Sequence, residues 1–170
     1  MRNAGLDENL VRWIDSYMRN RGAVLSVGGQ EGEEVEVTTG LPQGSPVSPV
    51  LFALHIAEIH QAVESQVEDS RGTSFVDDVT WLVAIEGYGV NDVISKLERC
   101  AQASPEWARD NAVRFGELKT EAVLLSRRRR HRRCQREIRV GSQTMRFAPA
   151  ATRWLGIWLD SALTLRENRR

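Results

Sequence analysis

"TSFVDDVTW", Thr73 to Trp81, decides the reading of this chain, because it sets two adjacent carboxylates, Asp77 and Asp78, inside a run that otherwise has the composition of a buried β-strand. A carboxylate taken out of water is costly unless it is paired, neutralised or bound to a cation, and two side by side also repel each other. Asp is also a common turn residue, so the pair alone is compatible with a hairpin bend. The segment therefore reads as strand, tight turn, strand, with both acids at the bend.

Working outward, "GLPQGSPVSP" upstream places Gly40, Pro42, Gly44, Pro46 and Pro49 within ten residues, a rigid loop feeding a helix. Pro46 and Pro49 are tolerable only at or near the first turn, where backbone amides have no internal partner. The following "VLFALHIAEIHQAVESQ" is apolar almost all round at first, which predicts a deeply buried helix. Before the loop, "AVLSV" and "EVEVTT" are β-prone and joined by the acidic "GGQEGE", predicting a hairpin with a solvated loop. Earlier still, "LDENLVRWIDSYMRNRG" has Asp7 as N-cap, Leu10, Trp13, Ile14 and Tyr17 at helical spacing, and Gly22 as stop.

Downstream, "NDVISKLERCAQA" carries Val93, Ile94, Leu97 and Ala101 on one helical face, and "SPEWARDNAVRF" restarts or continues it with Ser104 as cap and Pro105 at the first helical position. "EAVLLS" reads as a short strand, "EIRVGSQTMRF" as a hairpin turning at Gly141 and Ser142, and "TRWLGIWLD" as a last strand. The order α, ββ, α, ββ, α, then β-rich, predicts an α+β domain over residues 1–170, with helices on one face of an antiparallel sheet.

Composition agrees with a single globular domain. The chain has 170 residues, 41% hydrophobic and 27% charged, and a net charge of +0 that hides segregation. "EGEEVE" is acidic, whereas Arg127 to Arg139 holds eight Arg against one Glu. Cys100 and Cys134 lie outside metal-ligand spacing, which argues against a disulfide framework or a structural zinc site. His55 and His60 are five residues apart, wrong for a shared metal face. No apolar run spans a bilayer and "MRNAGLDENL" is too polar for a signal peptide. The expectation is a protein of the nucleus or cytoplasm, not secreted.

Four pieces now converge. "GLPQGSPVSPVLF", then "FVDD", then "NAVRFGELKTEAVLLS", then "RWLGIWLDSALT" stand in the order and spacing of the reverse transcriptases of non-LTR (LINE-type) retrotransposons, which this sequence resembles from about Leu6 to Thr164. The resemblance implies a polymerase right-hand palm of ferredoxin-like topology, an RNA template, a DNA primer, dNTP substrates and Mg2+. It implies Asp77 as primary metal ligand and Asp78 as the lesser one. Carboxylates suit Mg2+, which retains several waters and substrate phosphate oxygens, and nucleotidyl transfer uses two such ions. Phe75 and Val76 depart from the family's commoner aromatic-Ala start.

Leu41, Pro42, Gln43 and Gly44 match the segment that lines the incoming nucleotide's pocket. Gly44 lets backbone approach a bulky ligand, and a helix starting just afterwards offers free amides to phosphate; a Pro-fixed turn that merely starts a helix is the simpler alternative. Lys119, one of two lysines in the chain, matches the family's lysine near the nucleotide phosphates, and a solvated lysine before a strand is its plain counterpart. Trp154, Leu155 and Gly156 match the primer grip; Trp154 and Trp158 are equally explained as sheet residues. Arg127, Arg128, Arg129, Arg130, Arg132 and Arg133 suit phosphate contacts, a nuclear localisation signal or a solvated loop.

The family carries a further catalytic Asp on an earlier strand, and neither Asp7 nor Asp15, both in helical sequence, substitutes for it. The expectation is an N-terminally truncated palm fragment, inactive alone because the carboxylate that bridges both metals is missing. The second expectation is a noncatalytic nucleic-acid-binding remnant that acts through the Arg run.

Overall fold

A computed structural model describes residues 5–84, 87, 89–126, 128–132, 134–148 and 151–169. Two compact units divide the chain, Met1–Glu58 with Ser74–Asp78, and Ile59–Thr73 with Val79–Arg170.

In the first unit, α1 spans Glu8–Met18, and the Asp7 carboxylate accepts the Asn9 N–H at 2.9 Å, the cap expected from the pattern. The helix stops four residues short of Gly22, with Asn20 in the left-handed region at φ 51°. Ile14 is its buried residue, while Trp13 and Tyr17 stack with ring centroids 5.4 Å apart. β1 (Gly22–Val27) pairs antiparallel with β2 (Gln30–Glu36). Their turn is only Gly28–Gly29, both at positive φ, so the acidic stretch expected in a loop is strand instead. Every residue of both strands is exposed.

The helix α2 (Ser48–Glu64) begins in this unit and carries Pro49 at its second position, where no backbone bond is lost. It is buried along one face, through Leu51, Ile56, Ile59 and Val63, while Val50 stays 59% exposed. The expectation of burial all round is therefore corrected: apolar composition without a covering layer on each side leaves the far face in water.

In the second unit, α3 (Val90–Asp110) runs unbroken through Pro105. Ser104 is not a cap. Its hydroxyl donates to the Cys100 carbonyl at 2.8 Å and accepts the Trp81 indole N–H at 2.9 Å. Ile94 and Cys100 are wholly buried on the inner face. Burial pushes the Cys100 thiol up, against smaller opposing effects of a Ser70 hydrogen bond and the Arg99 charge.

The hairpin β3 (Ser70–Phe75) and β4 (Asp78–Val83) turns at Val76–Asp77. Gly72 of β3 is packed so closely that an added Cβ would lie 2.5 Å from His60 and 2.6 Å from Trp81.

The segment read as the strand "EAVLLS" makes no ladder. It is held by isolated backbone bonds, Ala148 N–H to Ala122 C=O at 2.8 Å and Ser126 N–H to Ser161 C=O at 2.9 Å. A short α4 (Arg129–Arg132) precedes β5 (Glu137–Val140) and β6 (Gln143–Arg146), which turn at Gly141–Ser142 as expected. Ile138, Val140 and Ala122 form a small core with Leu97, Ala101, Met145 and Phe147 against it. The last stretch is a hairpin rather than one strand, β7 (Ala151–Trp154) paired with β8 (Ile157–Asp160), with the turn at Leu155–Gly156.

Among the described residues the sheets are four two-stranded ones, so the composition is α+β. No described helix is long and apolar enough to cross a membrane.

Candidate functional site

The carboxylate pair is placed by an unusual turn. Val76 occupies φ 54°, a region that β-branched residues rarely enter, and by doing so reverses the chain in two residues. Asp77 completes the turn and Asp78 opens β4, so the second acid belongs to the strand rather than the bend. Both side chains are exposed, as are Phe75 and Val76. The burial cost inferred from the apolar flanks is thus not incurred, since four successive residues, Phe75 to Asp78, are exposed.

The loop Leu41–Gly44 lies in the same compact unit as Asp77 and Asp78. Its shape is fixed by two serines that the motif reading passed over. The Ser48 hydroxyl donates to the Pro42 carbonyl at 2.6 Å, and the Ser45 N–H reaches the same oxygen at 3.4 Å. Ser48 is buried, and the Ser45 hydroxyl accepts the Val47 N–H at 3.4 Å. Serines just ahead of a helix are a capping signal, and that signal was available in "GSPVSP". Gly44 takes φ 85°, and a Cβ added there would meet nothing within 4 Å, so the loop is open at that point. Leu41 and Pro42 are half-buried while Gln43 and Gly44 are exposed.

The remaining expected site residues lie in the other unit. Lys119 ends a 3-10 turn, Glu117–Lys119, and its side chain is exposed. Trp154 is half-buried and its indole N–H donates to the Thr80 hydroxyl of β4 at 3.0 Å. Leu155 and Gly156 form the following turn, at φ 47° and 86°. Nothing in the sequence marked Thr80 as the partner of Trp154, since the two are 74 positions apart.

Of the Arg run, Arg127 and Arg133 lie outside the described residues. Arg128, Arg129 and Arg130 are exposed, and none of the ion pairs among the described residues includes them. Arg132 is half-buried and donates to the Ser126 carbonyl at 2.9 Å.

Two neighbouring carboxylates have the donor chemistry that Mg2+ prefers. Among the described residues, however, no group of three or more His, Cys, Asp or Glu side chains is arranged to hold a metal ion. The described residues therefore fit part of a divalent-cation site and not a complete two-ion site.

The sequence profile of the family described as "Reverse transcriptase (RNA-dependent DNA polymerase)" matches residues 1–159. The chain is 26% identical over 157 residues to the Drosophila melanogaster protein named "Probable RNA-directed DNA polymerase from transposon X-element". That similarity covers 91% of this chain and 16% of the relative's length. No solved structure matches the chain.

Proposed function

Because the chain belongs to the reverse transcriptase (RNA-dependent DNA polymerase) family, we propose that it is a palm segment of a non-LTR retrotransposon's RNA-directed DNA polymerase. Asp77 and Asp78 supply one carboxylate wall of its Mg2+ site. Bound divalent ions would activate the attacking primer hydroxyl and neutralise the leaving pyrophosphate. Gln43 and the open backbone at Gly44 face the incoming nucleotide, with Leu41 and Pro42 fixing the loop. Lys119 neutralises nucleotide phosphate, and the turn at Trp154, Leu155 and Gly156 supports the primer end.

The observation that carries this reading is the grouping of the Leu41–Gly44 loop and the Asp77–Asp78 turn in one compact unit, inside a family match that spans both. The donor count sets its limit. With two acids where two ions need more, this chain on its own performs no primer extension. An assay with an RNA template, a labelled DNA primer, dNTPs and Mg2+ checks it; robust extension that disappears in Asp77→Ala would show the site to be complete.

A second reading is favoured by the exposure of Arg128, Arg129 and Arg130: nucleic-acid binding without catalysis. Each neutralised phosphate steepens the salt dependence of binding by about 0.9 in the log–log slope on duplex DNA. Filter binding of a DNA duplex should lose roughly two to three units of slope when all three become Gln. An unchanged slope removes the Arg run from the interface.

A further inference from the structure

Two glycines bracket the loop between β2 and α2. Gly40 and Gly44 sit at φ 78° and 85°, a region that glycine enters freely and other residues rarely do. Between them, Pro42 fixes only its own φ. Left to its backbone, such a segment takes many shapes, and the exposed Gln43 and Gly44 would meet a ligand correctly in only some of them.

One carbonyl narrows that choice. The Pro42 oxygen accepts the Ser45 N–H and so closes a turn from Pro42 to Ser45, which glycine at its third position with φ 85° makes a type II turn. That bond is long, at 3.4 Å. The short one, at 2.6 Å, comes from the Ser48 hydroxyl.

Ser48 is well placed to hold the turn still. It is 9% exposed and opens α2, and its own N–H donates to the Ser45 carbonyl at 3.2 Å. Leu51, in the first turn of the same helix, is 2% exposed and seats that end of α2 in the core. The Ser48 hydroxyl therefore ties the turn to an anchored helix, whereas the Ser45 bond ties the turn only to itself. A hydroxyl has one proton, and here it is committed to Pro42. Ser48 thus acts through the loop and not on what the loop holds.

We propose, on the reading of Leu41–Gly44 as the nucleotide loop, that Ser48 is a positioning residue for triphosphate binding, keeping Gln43 and Gly44 in the one conformation that receives the ligand. When the competent shape is only a fraction of the population, the apparent dissociation constant rises by the inverse of that fraction. Removing one intramolecular hydrogen bond shifts such a balance by about tenfold.

The test uses the full chain with Ser48→Ala and Ser48→Thr, read by amide exchange at Ser45 and Ser48 and by stopped-flow binding of a fluorescent dATP analogue with Mg2+. In Ser48→Ala both amides should exchange faster, and the triphosphate should bind about tenfold more weakly, through slower association at an unchanged dissociation rate. Ser48→Thr, which keeps the hydroxyl, should restore exchange and affinity together. Unchanged exchange at both amides overturns the brace. Faster exchange with unchanged affinity, or weaker binding that comes from faster dissociation, overturns the positioning role. A wild-type chain that binds no triphosphate removes the nucleotide reading of the loop and this role with it; failure of Ser48 alone looks different, with wild type and Ser48→Ala binding equally well. Should Ser48→Ala lower protection throughout the chain, Ser48→Cys, of like size and only a weak donor, decides the matter by the same readings.

Discussion

Two hairpins reverse direction in two residues each, and they do it on opposite terms. β1–β2 turns at Gly28–Gly29, with φ 60° and 81°, which glycine adopts at no steric penalty. β3–β4 turns at Val76–Asp77, with a β-branched residue at φ 54°, a strain of about 1–3 kcal/mol. The relaxed hairpin exposes every residue of its strands. The strained one is fixed beyond its turn, by Gly72 packed under His60 and Trp81 and by the Trp81 bond to Ser104. A strained turn survives where the strands leading from it are pinned, and here it is the turn that presents the carboxylates.

The largest effect should come from removing a pin. Trp81→Ala takes away the ring and leaves Ser104 without its indole partner, and should cost about 3 kcal/mol in urea unfolding, against less than about 0.5 for Val24→Ala on β1. Equal losses at the two positions would erase the contrast between the hairpins. Gly72→Ala forces a Cβ into the space held by His60 and Trp81 and should destabilise by about 1–3 kcal/mol.

Exchanging the turn residues tests the strain itself. Val76→Gly should stabilise by up to about 1 kcal/mol, the relieved strain being partly offset by the greater freedom of glycine in the unfolded chain, while Gly29→Val should destabilise by about 1–2 kcal/mol. Thermal denaturation of both variants reads the two signs directly.

The smallest effect carries the comparison to the third turn, after β8. Desolvation alone would raise the Asp160 pKa, but hydrogen bonds from Thr164, Ala162 and Leu165 outweigh it and hold the carboxyl below its usual range. Its folded pKa is therefore the lower one, so its contribution is present above the unfolded value of about 3.9 and is lost as pH falls through the folded value. Denaturation followed between pH 2 and 6 should show a steeper decline below pH 4 in wild type than in Asp160→Asn, by a small margin because this carboxylate is one accessible group among many.

Much of this molecule was legible locally. The Asp7 cap, Pro49 in the first turn of α2, and the Gly141–Ser142 turn are decided by neighbouring residues, and the structure has them where the pattern put them. What escaped depends on partners distant in sequence. Whether the helix restarts or continues at Ser104 and Pro105 was open in the sequence; α3 continues, and the Ser104 hydroxyl, expected as a cap, is instead engaged by Trp81 and the Cys100 carbonyl. "EAVLLS" has strand composition but finds only isolated bonds at Ala122 and Ser126. Of the site, motif spacing pointed to Asp77, Asp78 and the Leu41–Gly44 loop, while Val76's backbone, the Ser48 brace and the Thr80–Trp154 bond are visible only in three dimensions.

The burial of Cys100 has a practical corollary. A thiol with no exposed surface and a raised pKa stays protonated and out of reach of alkylating reagents. Cys134 is partly accessible and lies just past the Arg run. A maleimide fluorophore would therefore attach at one position without any mutagenesis, beside the exposed arginines for which polynucleotide binding is proposed.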